Sequence, residues 1–222
     1  MLYRVSHAVI LAVFRVLWRP TVRGRELIPA TGPLIVASNH LSFIDSIILP
    51  LVVPRKVVFL AKAEYWEGRS PASWPRRLFF RLFEAVPVQR EQQHDAQASL
   101  DLARQVLERG DAFGIYPEGT RSRNGRLYRG RTGVGWLALA SGAPVVPVGL
   151  VGTDKVQPIG ATVPRVCRGV TIRFGEPVHP SDYAHLPPGR ARREITDTVM
   201  DRVAALSGQE RAPGYNERPA EA

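Results

Sequence analysis

A histidine and an aspartate five residues apart, His40 and Asp45, are the two side chains in this sequence best suited to catalysis. An imidazole that is oriented by a carboxylate is a general base able to take the proton of an alcohol. Positions five apart on a continuous α-helix diverge by about 140°. The two side chains can therefore meet only if His40 precedes a helix and Asp45 lies in its first turn. The apolar strand-like run 33–37 and the apolar helical run 43–52 predict that arrangement.

The spacing alone also fits a structural role, in which the histidine is bonded within a loop and the aspartate caps the helix. A second motif, Phe113 to Arg123, shifts the balance. It begins as a strand and continues into a turn where Gly119 lets the backbone come close to a ligand. Hydroxyls follow it, and Arg121 can bind a phosphate through two parallel hydrogen bonds. A solvated basic loop would explain the arginines that follow, but not a Pro-Glu-Gly-Thr-Arg turn at a strand end, where α/β proteins place their sites.

Composition limits the remaining possibilities. With 222 residues and 45% hydrophobic content, the chain can bury one core, which predicts a single domain. A formal net charge of +10 indicates an anionic partner, either nucleic acid or an anionic membrane surface. The single cysteine, Cys167, excludes an internal disulfide and is expected to pack as a small apolar residue in a strand. The sequence contains no His-Glu-x-x-His and no Gly-x-Ser-x-Gly, and we predict no metal site and no cofactor.

The N-terminal residues favour a membrane surface over nucleic acid as the anionic partner. The run 2–18 is helical in pattern and apolar around most of its circumference, with its basic side chains in one sector. It is too short and too basic to span a bilayer, so we expect an amphipathic membrane-associating helix over residues 1–20. A helix docked on the protein's own core is the alternative. The sequence does not clearly show exposed aromatic residues interleaved with basic ones, as a nucleic-acid recognition element would. We therefore predict no nucleic-acid partner.

Strand-like and helical runs alternate through residues 21–206, which predicts an α/β domain with a mostly parallel or mixed central sheet flanked by helices. Gly110 and Gly142 are expected to end two of the helices. Pro147 lies inside an apolar strand, which indicates an edge or a bulge there. A basic aromatic stretch, 74–83, reads either as a second membrane-facing helix or as a core helix. Residues 207–222 are polar and rich in proline and glycine, so a disordered tail is expected.

With both motifs in view, the chain resembles the glycerolipid acyltransferases related to 1-acylglycerol-3-phosphate acyltransferase, the PlsC-like family. Four blocks match in the family's order over roughly residues 33–151, and they are the segments 39–45, 86–90, 116–121 and 143–148. The second block departs from the common pattern, since Gln89 stands where many relatives carry an aspartate. That departure bears on how glycerol phosphate is held and not on the chemistry.

The resemblance implies direct acyl transfer from acyl-CoA or acyl carrier protein to a hydroxyl of lysophosphatidic acid, giving phosphatidic acid, with His40 as base and Asp45 as its partner. The phosphate-binding residues would be Arg121, Arg90, Lys62, Glu118, Gly119 and Thr120. The expected location is peripheral or monotopic, on the cytoplasmic face of the cell membrane. Glycerol 3-phosphate, a lysophospholipid or a glycolipid remain alternative acceptors. A non-catalytic module that binds anionic membranes, or a phosphoesterase, would leave part of the pattern unexplained.

Overall fold

Seven strands form one sheet in the computed structural model, which describes residues 2–62, 86–88 and 93–217. The strands are β1 (Thr21–Arg23), β2 (Leu34–Ser38), β3 (Val57–Lys62), β4 (Val86–Val88), β5 (Ala112–Ile115), β6 (Val145–Val151) and β7 (Thr171–Phe174). Their order across the sheet is β1-β7-β6-β2-β5-β3-β4. All neighbours are parallel except β6 and β7, which are antiparallel. The predicted single α/β domain with a mostly parallel, mixed sheet is confirmed.

Helices cover both faces of this sheet. They are α1 (Leu2–Trp18), α2 (Asp45–Val52), α3 (Gln93–Glu108), α4 (Gly133–Ser141), α5 (Thr153–Val156) and α6 (Pro188–Ser207). Short 3-10 turns lie at Arg25–Leu27 and Pro180–Tyr183. Left-handed glycines follow the ends of α3 and α4 at Gly110 and Gly142, as the sequence predicts.

The central strand β2 shows why its run is apolar throughout. All five of its residues are buried, and the first four alternate between two hydrophobic clusters. Leu34 and Val36 pack into the cluster under α1 and α2, whereas Ile35 and Ala37 pack into the cluster under α3, α4 and α6. A strand covered on both faces needs apolar side chains on both, so the sequence loses the alternation of a half-exposed strand.

Pro147 lies in β6, which is an interior strand, so an edge position is ruled out. Val148 pairs with Phe174 and Val145 pairs with Val178, so three steps along β6 correspond to four along its partner. The extra residue makes a bulge opposite Pro147, whose carbonyl accepts a hydrogen bond from the N–H of Gly175. At the bulge the regular pairing is interrupted, so no backbone N–H is needed at position 147, where proline has none.

Helix α1 has two apolar sides. Phe14 is buried, and Ile10, Leu11 and Trp18 pack against the cluster under α2. This side of the helix is therefore docked on the protein's own core, which was the alternative to a membrane-associating helix. The other side is exposed and carries Val9, Val13, Val16 and Leu17. Within the described residues, no helix combines the length and the apolar character needed to cross a bilayer.

Two expectations are corrected by the structure. The tail is ordered over residues 208–217, because Leu127 and Arg211 form a β-bridge and Asn216 is buried with two hydrogen bonds to a neighbouring loop. Cys167 lies in the loop before β7 and not in a strand, although its side chain does pack against the core as expected. The basic aromatic stretch 74–83 lies outside the described residues, as do residues 218–222.

Candidate active site

His40 and Asp45 meet at the carboxyl end of β2, in the way their spacing predicts. His40 follows the strand, Asp45 is the first residue of α2, and the Nδ1 atom of His40 lies 2.9 Å from Oδ2 of Asp45. The same oxygen accepts the backbone N–H groups of Leu41 and Ser42, each at 2.8 Å. Asp45 is fully buried, while the His40 side chain is 15% exposed. The carboxylate is therefore fixed by three donors and fixes the imidazole in turn, with Nε2 as the nitrogen pointing away from Asp45.

An aromatic ring holds the imidazole from the side. Tyr116 stacks on His40 with ring centroids 3.8 Å apart and an interplanar angle of 8°. Its hydroxyl is 3.0 Å from the hydroxyl of Ser46, and its ring contacts Phe59. Phe59 itself occupies space that only a glycine at position 114 leaves open, because a Cβ there would come within 2.0 Å of the Phe59 ring. Tyr116 is part of the matched third block, but its type alone gives no sign that it faces His40.

Asn39 joins β2 to β6 directly beneath His40. Its amide accepts the N–H of Leu150 at 2.7 Å and donates to the carbonyl of Leu150 at 2.8 Å. It also donates to the side chain of Gln209 at 2.7 Å. These bonds continue the pairing between the two strands past the end of the regular ladder. The sequence places an asparagine before the histidine, but its partners are more than a hundred residues away and leave no local signal.

Glu118 lies in the turn that carries Thr120 and Arg121, and its side chain points inward. It is fully buried, and its two carboxylate oxygens accept the backbone N–H groups of His40 at 3.1 Å and Tyr128 at 2.9 Å. Burial raises the pKa of Glu118 to about 7, although both backbone N–H groups act to lower it, and the nearby carboxylate of Asp45 adds to the rise. Glu118 is one of the six residues expected to bind phosphate. Its two carboxylate oxygens are instead taken up by the backbone N–H groups of His40 and Tyr128.

The turn after β5 brings the arginine next to the histidine. Gly119 has a left-handed backbone, with φ of 80°, and its N–H bonds to the carbonyl of Tyr116. The N–H of Ser122 donates to the carbonyl of His40 at 2.8 Å, so the two motifs are joined by their backbones. A shallow depression opens beside this contact. It is lined by Thr120, Arg121, Arg123, Ile159, Asn216 and Glu217.

The ordered tail braces this depression. The side-chain amide of Asn216 donates to the carbonyls of Thr120 and Arg121, at 3.3 and 3.2 Å. The guanidinium groups of Arg129 and Arg131 lie over the ring of Tyr215, at 5.4 and 5.7 Å from its centroid. These contacts are not predictable from the sequence, since a polar, proline-containing tail carries no periodic pattern. The adjacent Tyr215 and Asn216 are the one signal in the tail that could have indicated them.

Lys62 and Arg90 are the two remaining residues that were expected to bind phosphate. Lys62 is the last residue of β3, which runs parallel to β5 and so ends at the same edge of the sheet as the segments of His40 and Arg121. Arg90 lies outside the described residues. The first three residues of the second sequence block form β4, whose Pro87 pairs with Ala61.

Comparisons with known proteins agree with this architecture. The family model described as Acyltransferase matches residues 19–151, which is more than half of the chain. The chain is 27% identical to the 1-acyl-sn-glycerol-3-phosphate acyltransferase of Bacillus subtilis (strain 168) over 191 residues, covering 85% of this chain and 88% of that protein. It is 31% identical to the human 1-acyl-sn-glycerol-3-phosphate acyltransferase alpha over 133 residues, covering 59% of this chain but only 44% of that protein. Among solved structures, the 1-acyl-sn-glycerophosphate (LPA) acyltransferase PlsC from Thermotoga maritima superposes with a TM-score of 0.67 at 25% identity, covering 91% of this chain and 82% of that one.

The sheet, the histidine at the end of β2 and the family match together define an α/β acyltransferase, and the chain belongs to the Acyltransferase family. Its relatives place it with the PlsC-like 1-acyl-sn-glycerol-3-phosphate acyltransferases, as the four sequence blocks indicated. The chain spans most of the Bacillus relative but about half or less of the plant and mammalian ones.

Proposed function

We propose that this protein transfers a fatty acyl group from an acyl thioester to the free hydroxyl of 1-acylglycerol 3-phosphate, forming phosphatidic acid. The observation that carries the proposal is the contact between His40 and Asp45 beside the turn of Arg121. The curated relatives named for this reaction support the choice of acceptor. Acyl-CoA or acyl carrier protein is the donor, and it acts as a co-substrate.

His40 acts as the general base. With Nδ1 bonded to Asp45, Nε2 takes the proton of the acceptor hydroxyl while that oxygen attacks the thioester carbonyl. The buried carboxylate holds the required tautomer and stabilises the imidazolium that forms. Stacking against Tyr116 keeps the ring in one plane as its charge changes.

Collapse of the tetrahedral intermediate expels the thiolate and leaves the new ester. The proton on His40 then passes to the thiolate, which restores the neutral imidazole and releases the free thiol. A thiol has a pKa of about 8.5 and an alkoxide is far more basic than a thiolate, so expulsion of the thiolate is favoured over expulsion of the alkoxide. The transfer therefore needs no covalent acyl-enzyme.

The acceptor phosphate is held in the depression beside Gly119. Arg121 supplies a planar guanidinium suited to a phosphate, and Thr120 supplies a hydroxyl. Lys62 and Arg90 are the further positive charges that the family resemblance assigns to the phosphate. Glu118 contributes indirectly, because it fixes the backbone N–H of His40 and the loop of Tyr128 relative to each other.

The protein works as a peripheral or monotopic enzyme on the cytoplasmic face of the membrane. The exposed apolar side of α1 and the net charge of +10 support association with an anionic bilayer. A lysolipid acceptor is itself resident in that bilayer, so surface attachment brings enzyme and acceptor together.

Two substitutions test the proposal in detergent, with acyl-CoA and lysophosphatidic acid as substrates. We expect His40→Ala to lower kcat by about 10²- to 10⁴-fold. The loop should stay folded, because Asp45 keeps the backbone N–H groups of Leu41 and Ser42 as donors. We expect Arg121→Ala to raise the KM for the acceptor at least tenfold. Arg109→Ala, at an exposed arginine outside the depression, should change it far less. Turnover by the His40 variant at the wild-type rate refutes the mechanism, and an unchanged acceptor KM in the Arg121 variant refutes the phosphate site.

The same chemistry on glycerol 3-phosphate, a lysophospholipid or a glycolipid is the alternative. These acceptors differ in the group that enters the depression and in the apolar chain that accompanies it. A panel of the four acceptors with one acyl-CoA, analysed for position of acylation, separates them. The proposal requires the highest kcat/KM for lysophosphatidic acid.

A further inference from the structure

The loop between α5 and β7, residues 157–168, connects three parts of the molecule that the proposed reaction has to bring together. Its first residue accepts, at its carbonyl, the hydroxyl of Ser42 from the catalytic corner at 2.6 Å. Its third residue, Ile159, lines the depression beside Arg121. Farther along, the carbonyl of Arg165 accepts the indole N–H of Trp18 at the end of α1, at 2.8 Å. The loop therefore runs from the active site to the N-terminal helix.

Apolar side chains along this path face solvent. Val163 is 71% exposed and Val166 is 68% exposed, and both lie within two residues of the contact with Trp18. On the other side of that contact, Val16 in α1 is 72% exposed. Leu17 is also exposed, and we call the exposed apolar residues of the loop and of this end of α1 the junction surface. Several large exposed apolar side chains on two segments that touch indicate a partner, since single ones would need no explanation.

The charged residues near the junction surface indicate what kind of partner it binds. The sequence has no Asp or Glu from residue 1 to residue 25, nor from residue 155 to residue 174. The same segments contribute Arg15, Arg19, Arg165 and Arg168, all of them exposed. Apolar side chains on two segments whose charged residues are all cations match an anionic lipid interface, with valines among acyl chains and arginines among phosphates.

The loop is held in shape rather than free to collapse onto the core. The N–H of Arg165 bonds to the carbonyl of Val156, which closes the loop at its base. The side chain of Gln157 donates to the carbonyl of Ala161 at 3.1 Å, and the N–H of Ala161 bonds to the carbonyl of Pro158. A preformed loop loses little conformational freedom when it enters a membrane surface.

We propose that the loop 157–168 is a second membrane-binding element, which inserts Val163 and Val166 into an anionic bilayer beside α1. This surface sets the depression of Arg121 against the headgroup layer, so that a lysolipid acceptor slides along the Ile159 side of the loop without leaving the membrane. The acceptor route rests on the proposed function, whereas membrane insertion of the loop does not. The two can therefore be tested apart.

Insertion is measured with an environment-sensitive fluorophore. The chain has one cysteine, so a Cys167→Ser background with Val163→Cys carries a single label. Ala184→Cys is the matched control, because Ala184 is exposed and follows a turn packed on the opposite helical layer. With vesicles of phosphatidylcholine containing phosphatidylglycerol, we expect a blue shift and quenching by lipids brominated in the acyl chain at position 163 only. No change at 163, or equal changes at both positions, overturns the proposal. A shift without vesicles that depends on protein concentration identifies a second copy of the chain as the partner and also overturns it.

Binding and activity are then compared in the unlabelled protein. We expect Val163→Ser with Val166→Ser to weaken partition into the same vesicles by about tenfold or more, and Val163→Leu with Val166→Leu to preserve it. The serine variant should keep wild-type kcat/KM on a monomeric short-chain lysophosphatidic acid and lose it on vesicle-borne acceptor. Unchanged partition of the serine variant overturns the membrane role of the loop. Lost partition with unchanged use of vesicle-borne acceptor overturns the acceptor route, and inactivity of the wild-type protein on both acceptors counts against the proposed function alone.

Discussion

Replacement of Asp45 by asparagine isolates the charge of the carboxylate from its geometry. The asparagine oxygen can still accept the N–H groups of His40, Leu41 and Ser42, which Asp45 now gathers on a single oxygen. The variant therefore keeps the loop but loses the negative charge next to the imidazolium. A hydrogen bond to a charged group stabilises by about 1–2 kcal/mol more than one between neutral groups. Because this pair is buried, the stabilisation of the imidazolium that the variant loses can reach about 3 kcal/mol.

These energies convert to a measurable rate effect. At about 1.4 kcal/mol for each factor of ten, kcat should fall by about 5- to 150-fold, with the acceptor KM nearly unchanged. The acidic limb of the pH–rate profile should move to lower pH, since an imidazolium without its counter-charge releases its proton more readily. Initial rates of thiol release, followed with a thiol-reactive dye from pH 5 to 9, give both quantities.

Stability measurements on the same variants separate geometry from charge. In Asp45→Asn the new amide occupies the place of Oδ1, which has no hydrogen-bond partner in the part of the chain that the structure describes, so unfolding should become easier by about 1–3 kcal/mol. Asp45→Ala strands two backbone N–H groups and should cost about 2–6 kcal/mol. If Asp45→Asn retains the wild-type kcat and pH profile, the carboxylate has no part in supporting the base and the reasoning is wrong.

Two further predictions concern the support of the site. For Glu118, the unfolded chain ionises near pH 4.5 and the folded protein only near pH 7, so the free energy of unfolding should decline by about 3 kcal/mol as pH rises across that window. Urea denaturation should show this decline in the wild type and a flatter profile in Glu118→Gln, and parallel profiles would contradict the buried carboxyl. Asn216→Ala removes both donors to the Arg121 loop and should raise the acceptor KM about three- to tenfold. The isosteric Asn216→Asp should behave alike, and kinetics of either variant indistinguishable from wild type would show that the tail does not position Arg121.

The sequence is informative wherever structure is local. The pairing of His40 with Asp45 follows from five residues of spacing and the change from strand to helix, and the alternation of apolar runs is enough to give the sheet and its helical layers. The helix ends at Gly110 and Gly142 follow from the left-handed conformation that glycine alone adopts readily. Each of these features depends on a residue and its immediate neighbours.

Long-range contacts carry no such signal. Asn39 and Leu150 lie 111 positions apart, and Asn216 lies 96 and 95 positions from its two partners. The ordered tail was missed for the same reason, because its composition resembles that of a disordered segment while its order comes from polar contacts with the Arg121 loop. The direction of Glu118 is equally hidden, since a glutamate in a polar turn is usually solvated and here a buried pair of backbone donors draws it inward.

The parallel rings of Tyr116 and His40 have a bearing on which glycerol carbon is esterified. A ring covered on one face at 3.8 Å and tied at Nδ1 is restrained from tilting and flipping, so in the proposed reaction Nε2 accepts a proton from one direction. Two hydroxyl groups of one glycerol backbone cannot both lie in that direction while the phosphate stays in place. Under the proposed function, the carbon that is esterified is therefore set by the direction of Nε2 and by the distance from His40 to the bound phosphate.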